Sequence, residues 1–311
     1  MSINLDSVDF VPNYELSAAD RAELAHLLRT SNLMETNLTE QAREELDSVS
    51  IEELAVPTRV GPSRVLSITP TNHRDNGPLF INIHGGGFVR GYQDRDTVFC
   101  AQMANRLGCK ILDIDYRLAP EHPFPTGVTE CYDVVSWAFE NAKALNVDPE
   151  KIALGGHSAG ANFTAVISLM AIDNNSFKLK AQLLDYPMLD ATVSSKEKIE
   201  KGGKFFPYNR LESFMILYSE VPENLSDRYM SPMKASDSDL EKMPPAMINI
   251  AFHDPLRMEA WRYAARLIEN GVDVAVRQFR NSRHGFILAS TDESNIAREG
   301  IFRWLDEQLN N

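Results

Sequence analysis

A short apolar run, Lys151-Ile152-Ala153-Leu154-Gly155, leads into Gly156-His157-Ser158-Ala159-Gly160 and then into a helix-like run from Ala161 to Leu169. Strand, sharp turn and helix follow one another with a serine at the apex. Gly-x-Ser-x-Gly in that setting predicts a strained elbow that lifts the serine Oγ above a sheet, the glycines leaving room for a tight backbone. The pentapeptide alone recurs by chance, so its meaning depends on what the rest of the chain brings to it.

The rest of the chain predicts an α/β fold. Short alternating strands at Val56–Val60 and Arg64–Thr69 are split by Gly61-Pro62-Ser63, a hairpin signature. A turn from His73 to Pro78 precedes the apolar run Leu79-Phe80-Ile81-Asn82-Ile83. Beyond it a helix is expected over Arg95–Leu107, a strand over Lys110–Ile114 and a helix over Thr126–Leu145, with Asp148-Pro149 as the turn before the elbow strand. After the elbow the pattern predicts strands at 180–186, 246–251 and 273–279, a helix at 256–270 and a closing helix from about Asn295. About eight strands, the later ones alternating with helices, imply a mostly parallel sheet covered on both faces.

Two segments stand outside that alternation. Residues 1–50 read as helical: Ser17, Asp20 and Glu23 mark a helix start, and Leu24, Leu27 and Leu28 form an apolar stripe. A second amphipathic segment is expected from Thr39, with Ala42, Leu46 and Val49 on one face. Residues 190–243 hold no strand pattern but include a helix-like Leu211–Tyr218, and read as an inserted helical lobe. Leaving the sheet at a strand's carboxyl end, the insertion would overlie the crevice where α/β sheets bind ligands. Two organisations stay open for the amino-terminal helices: packing on the domain, or forming a helical cap with the insertion. The division is therefore a cap segment over 1–50 and a main domain over 51–311.

With 311 residues, 43% hydrophobic and 24% charged, the chain has the balance of a globular protein. A net charge of −13 disfavours nucleic acid and anionic membrane surfaces as partners. Met1–Asp6 shows no secretory-signal pattern, and the longest apolar runs, such as Ala165–Ile172, are too short to span a bilayer. Cys100, Cys109 and Cys131 form no CxxC or metal-like cluster, which fits a reducing cytoplasm and small buried side chains.

A serine hydroxyl attacks only when a base takes its proton and donors stabilise the resulting oxyanion. His84-Gly85-Gly86-Gly87, directly after a strand, offers unobstructed backbone amides, and the Ala159 amide beside the serine adds another. Of the seven histidines, His26 and His73 sit in polar settings and His84 and His122 in motifs that suit structural hydrogen bonding. His157 points away from its neighbour on so sharp a turn. His284, in Asn281-Ser282-Arg283-His284-Gly285-Phe286 after the last strand, occupies the place of a base. Asp254, after strand 246–251, suits an acid that holds the imidazole, though Asp-Pro there also suits a helix cap; Glu259 is the alternative acid.

With these residues in place, the chain resembles the hormone-sensitive-lipase-like branch of the α/β-hydrolase fold, near the bacterial acetyl esterases, over about residues 56–311. The resemblance rests on His84–Phe88, Asp115–Pro125, Gly156–Gly160, Asp254-Pro255-Leu256-Arg257 and His284-Gly285-Phe286, in that order. It implies Ser158 as nucleophile, Asp254 as orienting acid, His284 as base, and oxyanion donors among Gly86, Gly87 and Ala159, with Gly85 shaping the turn. It also implies a helical cap, a brace in which Arg117 and Glu121 are paired or hydrogen-bonded, and a cytoplasmic enzyme acting without cofactor or metal on short-acyl esters. Phe205, Phe206 and Tyr208 are expected to constrict the site. A homodimer through the strand near 273–279 follows by the same analogy. Three positions depart from the family pattern: His157 stands where aspartate is usual, Met258 where a second acid is common, and Ala161 where a glycine is frequent. An imidazole beside the elbow is expected to alter the pH profile. An amidase or peptidase with the same three residues stays open, as does a non-catalytic receptor of the same fold, which the retained His284 disfavours.

Overall fold

The structure, a computed structural model, describes residues 3, 5, 12–30, 40–203 and 206–310. Its elements run α1 (Ala18–Thr30), α2 (Glu40–Asp47), β1 (Val49–Val56), β2 (Ser63–Pro70), β3 (Gly77–Ile83), α3 (Asp94–Leu107), β4 (Lys110–Asp115), α4 (Thr126–Glu140), α5 (Ala142–Leu145), β5 (Val147–His157) and α6 (Ala159–Asn174). They continue through β6 (Ala181–Asp185), α7 (Ser195–Gly202), α8 (Tyr208–Ser219), α9 (Asp237–Leu240), β7 (Ala246–His253), α10 (Arg257–Glu269), β8 (Val274–Arg283) and α11 (Asp292–Asn310).

Among the described residues one sheet of eight strands forms, ordered β1-β2-β4-β3-β5-β6-β7-β8. The β1–β2 and β2–β4 pairs are antiparallel and the others parallel. Every residue of β3 is buried, as a central strand covered on both faces requires. Leu79, Ile81 and Ile83 pack beneath α4 and α6, while Phe80 joins Phe99 of α3 and Ile301 of α11 on the opposite face. The strand order reverses between β4 and β5, on either side of β3, so the loops after β3 and β5 meet at the carboxyl edge.

Four boundaries differ from expectation. The first strand lies at Val49–Val56 rather than after Val56, and Val56 pairs with Ser63, so Val49 opens a strand instead of continuing a helix face. This edge strand is largely exposed on both sides, which weakens its alternation; pairing with β2 and the Glu53–Arg64 contact at 2.9 Å define it. The Asp148-Pro149 corner lies inside β5: Gly77 pairs with Val147 and Leu79 with Ile152, so the residues between bulge out, and Asp148 Oδ1 accepts the Glu150 amide at 2.9 Å. The Thr126–Leu145 helix breaks at Asn141. β8 runs on to Arg283, delivering His284 to the carboxyl edge.

The amino-terminal helices part company. Arg21 of α1 donates to the carbonyls of Ile216 and Glu220 around the end of α8, and Tyr14 Oη lies 2.9 Å from Ser219 Oγ. α2 turns instead to α3, with Asn105 donating to Glu45 at 2.9 Å. Thr39, the expected start of that second helix, lies outside the described residues. Among the described residues no helix is long and apolar enough to cross a membrane.

Candidate active site

β5 delivers the elbow and α6 carries the chain away from it. Ser158 has φ 54° and ψ −109°, a conformation that costs a non-glycine residue energy and that surrounding contacts must hold. Its amide donates to the Asp185 carbonyl at 2.9 Å, tying the apex to β6. The glycines are steric requirements: a Cβ on Gly156 would stand 2.4 Å from the Ile83 carbonyl oxygen, and one on Gly160 only 1.9 Å from it.

Three separated segments meet at that apex. His284 Nε2 lies 2.9 Å from Ser158 Oγ, and His284 Nδ1 lies 2.8 Å from Asp254 Oδ2. Asp254 is 1% exposed and His284 20%, so the carboxylate is shielded while the imidazole reaches the cavity. Asp254 orients the imidazole and holds the turn before α10 rather than capping it, the cap position being Leu256 with no side-chain cap bond. Its Oδ1 accepts the Leu256 amide at 2.8 Å, holding the turn before α10, while Oδ2 faces His284.

Glu259 faces elsewhere. It is buried, accepts from the amides of Leu189 and Asp190 at 3.2 Å each, and binds Lys198 Nζ at 2.7 Å. Burial pushes its pKa up to about 7, against the opposing pull of Lys198. It ties the insertion helix α7 to α10.

The glycine loop lies against the serine. A Cβ on Gly85 would stand 3.5 Å from Ser158 Cβ. Gly86 (φ 126°) and Gly87 (φ 61°) hold backbone angles that L side chains rarely adopt, and the Gly86 carbonyl accepts from the Val89 and Arg90 amides. Gly86, Gly87 and Ala159 all line one cavity with Ser158. His84 is buried, its Nδ1 2.6 Å from the Gly85 carbonyl and its ring stacked on Tyr116 at 4.2 Å. His26 and His122 are exposed and His73 is half-buried.

That cavity has a volume of about 290 Å³. Phe206, Leu211, Phe214 and Met215, from the insertion, form its apolar wall. Phe206 stands edge to face with His284 at 5.8 Å. Tyr208 is exposed instead, because the first turn of α8 directs it outward while Leu211, Phe214 and Met215 face inward; Phe205 lies outside the described residues. Sequence reasoning missed Tyr186, whose ring meets His284 at 5.0 Å, and Arg90, which also lines the cavity. Neither belongs to a catalytic pattern; the residue after a strand and the residue after the glycine loop were the available signals.

His157 points down from the elbow into the α3 side of the sheet. Its ring is fully buried, edge to face with Phe99 at 4.9 Å, with Nδ1 3.1 Å from Asp185 Oδ2. That distance suits an ion pair, but the angle does not complete a hydrogen bond, and neither ring nitrogen has a hydrogen-bond partner. In the brace, Arg117 pairs with Glu130 at 2.7 Å and Glu121 with Arg29 at 2.6 Å, so both are paired but not with each other. Among the described residues, no group of three or more His, Cys, Asp and Glu side chains is arranged to hold a metal ion.

Comparison with known proteins agrees with the geometry. A family model described as alpha/beta hydrolase fold matches residues 80–288. An arylesterase of Saccharolobus solfataricus is 33% identical over 241 residues, 77% of this chain and 75% of that protein. The carboxylesterase NlhH of Mycobacterium tuberculosis is 33% identical over 276 residues, 87% of this chain and 84% of its own. The solved structure of a hyperthermophilic esterase from Pyrobaculum calidifontis superposes with a TM-score of 0.79 at 29% identity, covering 94% of this chain and 98% of that one. Elbow, glycine loop and sheet order thus coincide with a family match across most of the chain, which belongs to the hormone-sensitive-lipase-like branch of the α/β-hydrolase fold.

Proposed function

We propose that this carboxylic ester hydrolase cleaves short-acyl esters through an acyl-enzyme formed on Ser158. His284 Nε2 takes the Ser158 proton as Oγ attacks the ester carbonyl, then returns it to the leaving alcohol. A water attacks the acyl-enzyme by the same route in reverse. Asp254 keeps the imidazole in the tautomer with its proton on Nδ1 and stabilises the imidazolium. The amides of Gly86, Gly87 and Ala159 supply the oxyanion donors, preorganised so that no reorientation is needed as charge develops.

The observation that carries this reading is the continuous Ser158–His284–Asp254 chain at 2.9 and 2.8 Å. The short-acyl preference is supported by the apolar wall of Phe206, Leu211, Phe214 and Met215 around about 290 Å³. We read α1, α7 and α8 as the cap that closes this cavity. The three free, buried cysteines support a cytoplasmic setting, and the uncovered edge of β8 is where a homodimer would pair.

A p-nitrophenyl ester series from acetate to palmitate, run on wild type and Ser158→Ala, tests the reading. Activity should peak at acetate or butyrate and vanish in the variant. A maximum at palmitate overturns the substrate class; comparable turnover of an anilide and none of the esters overturns ester hydrolysis itself.

A further inference from the structure

The cavity around Ser158 is lined by three arginines, Arg90, Arg95 and Arg283, in a chain of net charge −13. Elsewhere Arg21, Arg257 and Arg298 donate to backbone carbonyls, and several other arginines face carboxylates: Arg29 pairs with Glu121, Arg59 with Asp133, Arg64 with Glu53 and Asp115, and Arg266 with Asp237. Arg90 does not. It is half-buried, its Nε is shut off from solvent without a hydrogen-bond partner, and among the described residues no carboxylate pairs with it. Burial first, then the charges of Arg95 and Arg210, hold its pKa below the usual guanidinium value.

Among the described residues, one carboxylate lines the cavity, that of Asp96. Asp96 is buried, acts on Asp113, Tyr92, Cys100, Tyr116 and Tyr186, and exerts no resolved effect on Arg90. Arg95 also acts on Tyr186, whose ring meets His284, against Asp185, Asp96 and Asp254. A partly buried guanidinium without a counter-charge is costly to keep. Its planar fork is shaped to receive a carboxylate through two parallel hydrogen bonds.

We infer that the cavity takes an ester bearing a second, carboxylate group, received by Arg90, on which Arg95 already acts. The inference rests on the ester-hydrolase mechanism proposed above and names its substrate class: a half-ester of a short dicarboxylic acid, or the ester of a short hydroxy acid. Hydrolysis of either proceeds as for a neutral ester; the carboxylate stays unchanged and contributes binding and orientation.

Two near-isosteric pairs test it. Monoethyl glutarate against ethyl hexanoate places the charge in the acyl part; acetoxyacetate against isobutyl acetate places it in the alcohol. Proton release at constant pH gives kcat/KM for each. At least one anionic ester should exceed its neutral partner about tenfold at low salt, as a charge-assisted pair provides, and the ratio should shrink as salt rises. Arg90→Gln should bring that ratio to about one, and Arg90→Lys should keep part of it, with melting curves confirming that both variants fold. Both ratios at or below one in wild type overturn the inference, and so does a preference that survives Arg90→Gln.

Glutarate titrated calorimetrically into Ser158→Ala protein reads the site apart from turnover. Should no ester of either kind be hydrolysed, the mechanism fails, while glutarate binding that disappears on adding Arg90→Gln still upholds the carboxylate site. No glutarate binding in that case overturns the site as well.

Discussion

His157 Nδ1 stands 3.1 Å from Asp185 Oδ2, both side chains fully buried on the side of the sheet that α3 and α11 cover. Asp185 is held in turn by Asn249, which donates to its other oxygen at 2.8 Å. The family's usual aspartate at the His157 position would therefore confront a carboxylate at contact distance. His157→Asp is expected to lower stability by about 3–5 kcal/mol, the cost of an uncompensated buried charge, and His157→Asp with Asp185→Asn to recover most of it. Denaturant unfolding of the two single variants and the double gives the coupling. Additive effects would show that the contact carries nothing, and a pH–rate curve unchanged in His157→Asp would show that the imidazole does not shape the profile.

Asp254 serves both the turn before α10 and the imidazole through different oxygens, so an isosteric change separates the two jobs. Asp254→Asn keeps the Oδ1 acceptor for the Leu256 amide but presents the imidazole with the wrong partner. A fall in kcat on the order of 10⁴-fold is expected with the melting temperature little changed. Steady-state kinetics beside a thermal melt decides it; a proportionate loss of both would mean the residue acts through folding.

Asp113 is buried, accepts from Asn82 at 2.8 Å, and has its pKa pushed up to about 8 by burial and then by Asp96. A carboxyl raised above its unfolded value stabilises the fold fully below that unfolded value, near 3.8, and loses this contribution as pH climbs through about 8. At about 1.4 kcal/mol for each pH unit, the loss is on the order of 6 kcal/mol across the window. Asp113→Asn keeps the acceptor and removes the titration. Its melting temperature should fall less than that of wild type between pH 5 and pH 9, and parallel curves would refute this.

Lys198 and Glu259 form a buried pair at 2.7 Å that ties α7 to α10. Lys198→Met leaves the Glu259 carboxyl without its cation and should destabilise by about 3–5 kcal/mol at neutral pH. Lys198→Met combined with Glu259→Gln should restore part of that, because the amide carbonyl still accepts from the Leu189 or Asp190 amide. Urea midpoints of the set are the measurement; a neutral single variant contradicts the pairing.

Gly160 tolerates no side chain: a Cβ would sit 1.9 Å from the Ile83 carbonyl oxygen, which belongs to the strand backbone and cannot yield. Gly160→Ala is expected to lose soluble, folded protein altogether. Gly87→Ala meets instead the Phe214 ring, and also a left-handed backbone, so it should fold with a cost of about 1–3 kcal/mol and reduced activity. Soluble yield and circular dichroism distinguish the two.

Much of this site lay open in the chain because each part is a local pattern. Ser158 is announced by two glycines and a change of period from strand to helix, His84–Gly87 by its place after Ile83, and His284 by its place after the last strand. Backbone geometry within a few residues creates those signals. The wall was less legible: Phe206 was named, but Leu211, Phe214 and Met215 turn inward only because of where α8 begins. The edge strand β1 was hidden by its exposure, and Asp254 could be read as a cap or an acid because Asp-Pro ahead of a helix suits either; α10 begins only at Arg257, with Leu256 at its cap.

By itself the sequence determined the order of strands and helices, the strained serine and the set of groups able to activate it, since these follow from periodicity, glycine and chain order. Tertiary structure alone decided which distant side chains share one small volume. It set His157 against Asp185 through the β5–β6 register, turned Glu259 toward Lys198 rather than His284, and left Arg90 lining the cavity with no carboxylate of its own. The His157–Asp185 and Lys198–Glu259 pairings join residues tens of positions apart; burial and register choose them, and no short window of sequence contains both partners.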